Sequence, residues 1–232
     1  MKTIGMIGGI GPESTIEYYR LIIAAYFERM TDGSYPLMII NSIDLQKLRK
    51  MAEANERARM TEFLLSEIQK LGRAGAEFGF LAANTPHMVF DEVRDQSPIP
   101  LISIVEATCR IAKSTRLEKL GLFGTRMTMQ GQFYPEVFSR EGIALAVPDE
   151  HDQAYIHHIY FNELVKGTVL PETRQRLLKI VDRLKEHEDI QGLILGGTEL
   201  SLIFRDETVC EIPVLDTTKI HAKAIVEEAL AE

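Results

Sequence analysis

The chain has no tryptophan and two cysteines, Cys109 and Cys210, in 232 residues. The thiols lie far apart and fit no metal-ligand spacing, so neither a disulfide framework nor a zinc site is expected. Positive charge is also scarce: 26 Lys and Arg stand against 34 Asp and Glu, a net charge of −8. Nucleic-acid binding needs clustered cations that neutralise phosphates, and that footprint is missing. No apolar run approaches the roughly 18 residues that would span a bilayer. Residues 1–9 read as a short strand broken by glycines rather than a signal peptide. These absences leave a small-molecule role as the expectation, with no membrane or nucleic-acid partner and a cytoplasmic location.

What is present suits a folded domain. Hydrophobic residues make up 45% and charged residues 26%, and the length permits one large α/β domain or two small ones. Short apolar runs ending in Gly, Asn or Ser alternate with longer amphipathic stretches, a pattern of βαβ units around parallel sheet. Strands are expected at 3–7, 37–41, 78–82, 101–104, 119–124, 144–147, 192–195 and 214–216. Helices are expected at 13–30, 55–74, 156–165, 172–187 and 217–232. The first carries Tyr18, Leu21, Ile22, Ala25 and Tyr26 at helical spacing, and the second Met60, Phe63, Leu64, Ile68 and Leu71.

An internal repeat organises these elements. Ile4-Gly5-Met6-Ile7-Gly8 is a near copy of Leu120-Gly121-Leu122-Phe123-Gly124, and Gly79-Phe80-Leu81-Ala82-Ala83 of Gly192-Leu193-Ile194-Leu195-Gly196. Both offsets are about 115 residues, as one duplication would give. The expected architecture is α/β with two pseudo-symmetric lobes, each a parallel sheet flanked by helices, residues 1–102 plus 212–232 forming the first and 103–211 the second. Ligands of parallel sheets bind where the strands' carboxyl ends meet loops and helix N-termini. A ligand cleft between the lobes is therefore expected, lined by 8–15, 83–87, 124–129 and 197–199.

Four loops hold the candidate chemistry. Gly8-Gly9-Ile10-Gly11-Pro12-Glu13-Ser14-Thr15 leads from a strand into a helix, where backbone N–H groups and the helix dipole favour an anion. Pro12 and Glu13 occupy the turn that a pyrophosphate would approach, so a small carboxylate held with Ser14 and Thr15 fits better than a dinucleotide. The same glycines also suit a tight strand–helix turn and nothing more. Ala83-Asn84-Thr85-Pro86-His87 offers an amide, a hydroxyl and an imidazole, or simply a turn closing the strand. Thr125 and Arg126 form the counterpart of the first loop. Thr198 and Glu199 form that of the second, with Glu199 either a base or a holder of a neighbouring loop amide. Lys166 and the trio Lys47, Arg49 and Lys50 could contact carboxylates, and each equally fits a solvated surface charge. His157 and His158 are adjacent, so they cannot share a metal on one helix face.

Taken together, Gly5-Met6-Ile7-Gly8-Gly9 with Ser14-Thr15 and Tyr18-Tyr19, Asn84-Thr85-x-His87, Gly124-Thr125-Arg126 with Thr128-Met129 and Tyr134, Gly-x-Thr198-Glu199, and Asp216-Thr217 before Ile220-His221-Ala222 resemble the aspartate/glutamate racemase family over essentially the whole chain. The resemblance implies two pseudo-symmetric lobes, a substrate site between them, no cofactor and a homodimer, and the spacing of cysteine and histidine already argues for no metal. It also implies one cysteine directly before the Asn-Thr pair and another directly before Thr-Glu, a thiolate base and a thiol acid on opposite faces of the substrate α-carbon. Those positions hold Ala83 and Gly197. Two-thiol racemisation is therefore chemically closed to this chain.

Three expectations follow. The chain is an isomerase of this type that uses other acid/base groups, with Glu199, His87, Glu13 and Asp44 as candidates. Or it is a lyase or decarboxylase on the same scaffold. Or it binds a small amino acid or dicarboxylate without reaction. In each case Gly11, Ser14, Thr15, Asn84, Thr85, Thr125, Thr198 and Lys166 are the expected recognition residues.

Overall fold

A computed structural model describes residues 1–231. It contains two compact units, Met1–Ile104 joined by the chain from His221 onward, and Val105–Ile220. The last residue of the expected helix 217–232, Glu232, lies outside the described residues.

The first unit is built on four parallel strands, β1 (Ile4–Gly8), β2 (Met38–Ser42), β3 (Phe78–Leu81) and β4 (Leu101–Ile102), in the order β2-β1-β3-β4. β1 and β3 are buried along their whole length, which is why they read as continuous apolar runs. β2 stands at the sheet edge and is half-buried. The connecting helices are α1 (Pro12–Phe27), α2 (Leu45–Glu53), α3 (Arg57–Arg73) and α4 (Phe90–Arg94), the last preceded by a 3₁₀ turn at Thr85–Val89. α2 was not foreseen; its N-cap Asp44 accepts the Gln46 N–H at 2.8 Å. Ile4, Met6, Phe78 and Phe80 pack with Tyr18 and Ile22 of α1 and with Ile225 and Val226 of the last helix.

The second unit repeats this plan. Its strands β5 (Lys119–Gly124), β6 (Ala144–Ala146), β7 (Leu193–Gly196), β8 (Thr208–Val209) and β9 (Ile212–Asp216) lie in the order β6-β5-β7-β9-β8. Only the β8–β9 pair is antiparallel. The helices are α5 (Ile104–Ser114), α6 (Arg126–Gln130), α7 (Phe133–Ser139), α8 (Glu150–Asn162) and α9 (Pro171–Glu188), followed by α10 (Thr217–Leu230), whose side chains from His221 on belong to the first unit. Phe123, Leu193 and Leu195 from the sheet pack with Ile156 and Ile159 of α8 and Leu177, Ile180 and Val181 of α9.

The expected lobe boundary needs correction. Residues 212–220 were assigned to the first lobe, but β9 pairs with β7 through Leu193↔Val214, Ile194↔Leu215 and Leu195↔Asp216. It extends the second sheet as β4 extends the first, and the chain changes unit only inside α10. Residues 103 and 104, expected in the second lobe, stay with the first.

Candidate functional site

In the first unit the loop after β1 is held by its own groups. Gly9 has φ +76, and a Cβ there would lie 2.3 Å from the Ile43 carbonyl oxygen, so both conformation and space require glycine. The Thr15 hydroxyl accepts the Gly9 N–H at 2.8 Å and donates to the Gly11 carbonyl at 3.2 Å. Pro12 opens α1 with Gly11 as its N-cap at φ 96. Thr15 thus braces the turn, Ser14 is buried beside it, and Glu13 is exposed. Asp44, a further proton-carrier candidate, is exposed and caps α2.

Ala83, Asn84 and His87 are buried where β3 ends. The imidazole is fixed from both sides: Nε2 accepts the Ile104 N–H at 3.2 Å, which leaves the ring proton on Nδ1, donated to the Ala83 carbonyl at 3.0 Å. The ring stacks on Phe90 with centroids 4.7 Å apart. Burial lowers its pKa to about 3, so it stays neutral. Both nitrogens are engaged with backbone, and His87 ties the end of β3 to the start of α5 instead of offering a base. His221 is likewise structural, accepting from the Tyr18 hydroxyl at 2.8 Å and donating to the Ile102 carbonyl at 3.0 Å.

In the second unit Thr125 caps α6, accepting the Thr128 N–H at 3.3 Å. The 3₁₀ turn at Thr198–Leu202 follows β7 and sets Thr198 and Glu199 in buried positions. Glu199 Oε2 accepts the Thr198 hydroxyl at 2.7 Å and also the hydroxyl of Tyr160, which projects from α8. No motif in the sequence marks Tyr160, which reads as one aromatic of a helical stretch. Burial, reinforced by the Glu199 charge, pushes its phenol well above the ordinary range, so it keeps its proton. Lys166 lies exposed on the 3₁₀ turn Leu164–Lys166, which packs beside Thr198–Leu202.

The end of β9 adds further polar groups. Asp216 Oδ1 accepts the Thr218 and Lys219 N–H groups at 3.0 and 3.2 Å, and Thr217 donates to the Leu195 carbonyl at 2.7 Å. Asp216 Oδ2 and the Thr218 hydroxyl are buried without a hydrogen-bond partner among the described residues.

Neither thiol of the chain ionises readily. Burial pushes Cys109 up to about 11 and Cys210 up to about 12, so both remain thiols. Among the described residues one group could hold a metal, Asp149, His151 and Asp152, with ligand atoms within 4.8 Å of one another. Its carboxylates are already used: Asp149 caps α8 through the Asp152 N–H at 2.9 Å, and Asp152 pairs with Arg183.

A sequence model of the Asp/Glu/hydantoin racemases matches residues 7–225. The chain belongs to this family. Among its relatives, the broad specificity amino-acid racemase RacX of Bacillus subtilis (strain 168) is 26% identical over 236 residues, covering 98% of each chain. A candidate Asp/Glu racemase from Yersinia pestis superposes with TM-score 0.90 at 32% identity, and an aspartate racemase homologue from Pyrococcus horikoshii OT3 with TM-score 0.86 at 34%; both cover 100% of each chain. The expected α/β fold with two parallel sheets is the fold of these racemase structures. No helix among the described residues is long and apolar enough to cross a membrane.

Proposed function

We propose that the chain is an amino-acid isomerase of the racemase type that takes a small amino acid or dicarboxylate without a cofactor and moves its α-proton through oxygen acids, not thiols. The observation that carries this reading is Glu199, a buried carboxyl at the end of β7 that receives the hydroxyls of Thr198 and Tyr160, next to Gly197, where the resemblance places a cysteine. A carboxyl group in a buried, hydrogen-bonded setting is a competent general acid or base. Polar groups at other strand ends of the same unit, Thr125 and Thr218, suit recognition of a small anion. The kinship with a broad specificity amino-acid racemase and with an aspartate racemase homologue supports the substrate class.

A second reading, binding without reaction, draws on one observation: at the end of β3, Ala83 has no proton to give and His87 is tied to backbone through both nitrogens. One experiment separates the two. Calorimetry over a panel of amino acids and dicarboxylates identifies a ligand, and NMR in D₂O follows deuterium entering its α-position. Wash-in that survives alkylation of Cys109 and Cys210 is the expected result. Binding without wash-in selects the second reading, and wash-in abolished by alkylation contradicts the oxygen-acid chemistry.

A further inference from the structure

Gly197 is glycine for an unusual reason. Its backbone is extended, with φ −151 and ψ 124, a conformation open to any residue. Neighbouring Gly196 is fixed by packing, since a Cβ there would lie 2.8 Å from Leu122 Cδ1 and 2.9 Å from the Phe123 carbonyl. At Gly197 the obstacle is one ring: a Cβ would fall 2.5 Å from Tyr160 Cε2, 3.2 Å from Cζ and 3.3 Å from the phenol oxygen. The space that a Cβ at 197 would fill is therefore occupied by the Tyr160 ring, and the Tyr160 hydroxyl stands beside that position.

We infer that Tyr160, hydrogen bonded to Glu199, is the proton carrier of the second unit's strand-end site, reached from α8 instead of from position 197. The inference rests on the proposed isomerase reading. The step balances with the groups present. As the substrate α-C–H bond breaks, its electron pair stays on carbon and is delocalised into the substrate carboxyl group as an enolate. The proton passes to the phenol oxygen, and the phenol's own proton moves to Glu199 Oε2; the reverse passage returns a proton to the same face of carbon, which is the α-exchange this site supplies. A two-atom relay is needed because Tyr160 holds its proton firmly, so it cannot act as a free phenolate. Thr198, the other hydroxyl on Oε2, keeps the carboxyl oriented toward the ring.

The test uses Tyr160→Phe, which keeps the ring in its place and removes only the oxygen, with Glu199→Gln as a second variant that keeps the carboxyl's shape. Both are assayed for α-deuterium wash-in on the compound that the wild type exchanges, and for its Kd by calorimetry, after thermal melting confirms a folded protein. The expected result is a loss of wash-in of at least about 100-fold in each variant, a typical general acid–base contribution, with Kd for Tyr160→Phe within threefold of wild type. Wild-type wash-in in Tyr160→Phe, with loss confined to Glu199→Gln, overturns the role of Tyr160 and leaves the isomerase reading standing. Binding without wash-in by the wild type overturns both.

Discussion

Because Gly197 is extended, a substitution there meets no backbone penalty, and its cost is set by how far the Tyr160 ring can withdraw. The ring is in the unit's core and its hydroxyl is held by Glu199, so it is not free to swing away. Gly197→Cys is therefore expected to destabilise the protein by about 1–3 kcal/mol, the usual cost of overpacking a core. The same substitution in a Tyr160→Ala background enters vacated space and costs at least about 1 kcal/mol less, a coupling between touching residues. Denaturant unfolding of the four proteins measures this coupling; equal costs in both backgrounds would mean that the ring does not hold the space.

At the scale of elements, His87 is a clip. It joins the turn after β3 to the first residue of α5 through the Ala83 carbonyl and the Ile104 N–H. Its folded pKa, about 3, lies below the ordinary 6.5, so in the window between them the unfolded chain binds a proton that the folded chain refuses. Stability is then full above about pH 6.5 and falls with pH toward the folded pKa, by at most about 1.4 kcal/mol per unit. His87→Phe keeps the ring beside Phe90 but removes the hydrogen bonds to the Ala83 carbonyl and the Ile104 N–H, so it is less stable than wild type at pH 7 by about 1–3 kcal/mol. Its deficit is expected to shrink as pH falls from 6.5 to 4.5, because it lacks the titrating ring. Urea midpoints at several pH values check this, and a constant deficit would mean that His87 titrates alike in both states.

The elements themselves differ in how much of them is readable. β1, β3, β5 and β7 are legible because they are buried on both faces and interrupted by glycines at repeating places. α8 is legible only from Ile156 on, since its first turns bury the polar Asp152 and Gln153, held by Arg183 and by the Pro148 carbonyl. No apolar stripe marks them. Ile104 was read as the end of a strand but opens α5, because an apolar residue at a strand–helix junction suits either element. Tyr160 had no signal of its own: it reads as an aromatic in a helix stripe, and its meaning depends on a contact with Gly197 that spacing along the chain does not encode.

For the whole molecule, the duplication is visible in topology as well as in sequence. β2-β1-β3-β4 and β6-β5-β7-β9 have the same order and the same parallel sense, and the β8 hairpin is an addition to the second. By the repeat, β9 is the counterpart of β4 and so belongs to the second unit, which moves the boundary from 212 into α10. With that boundary corrected, α10 is the segment that returns to the first unit. Ala222, Ile225, Val226 and Ala229 lie in its core with Ile4, Phe78 and Phe80, whereas the core around Phe123, Leu193 and Leu195 draws its helix residues, among the described residues, chiefly from α8 and α9. Ile225→Ala should then cost about 2–5 kcal/mol, the range for large-to-small truncation at a buried site. That loss belongs to one core. In native-state hydrogen exchange the amides of β1 and β3 are expected to lose protection while those of β5 and β7 keep theirs, as separate cooperative units do. Equal loss in both sheets would show that the two cores open as one.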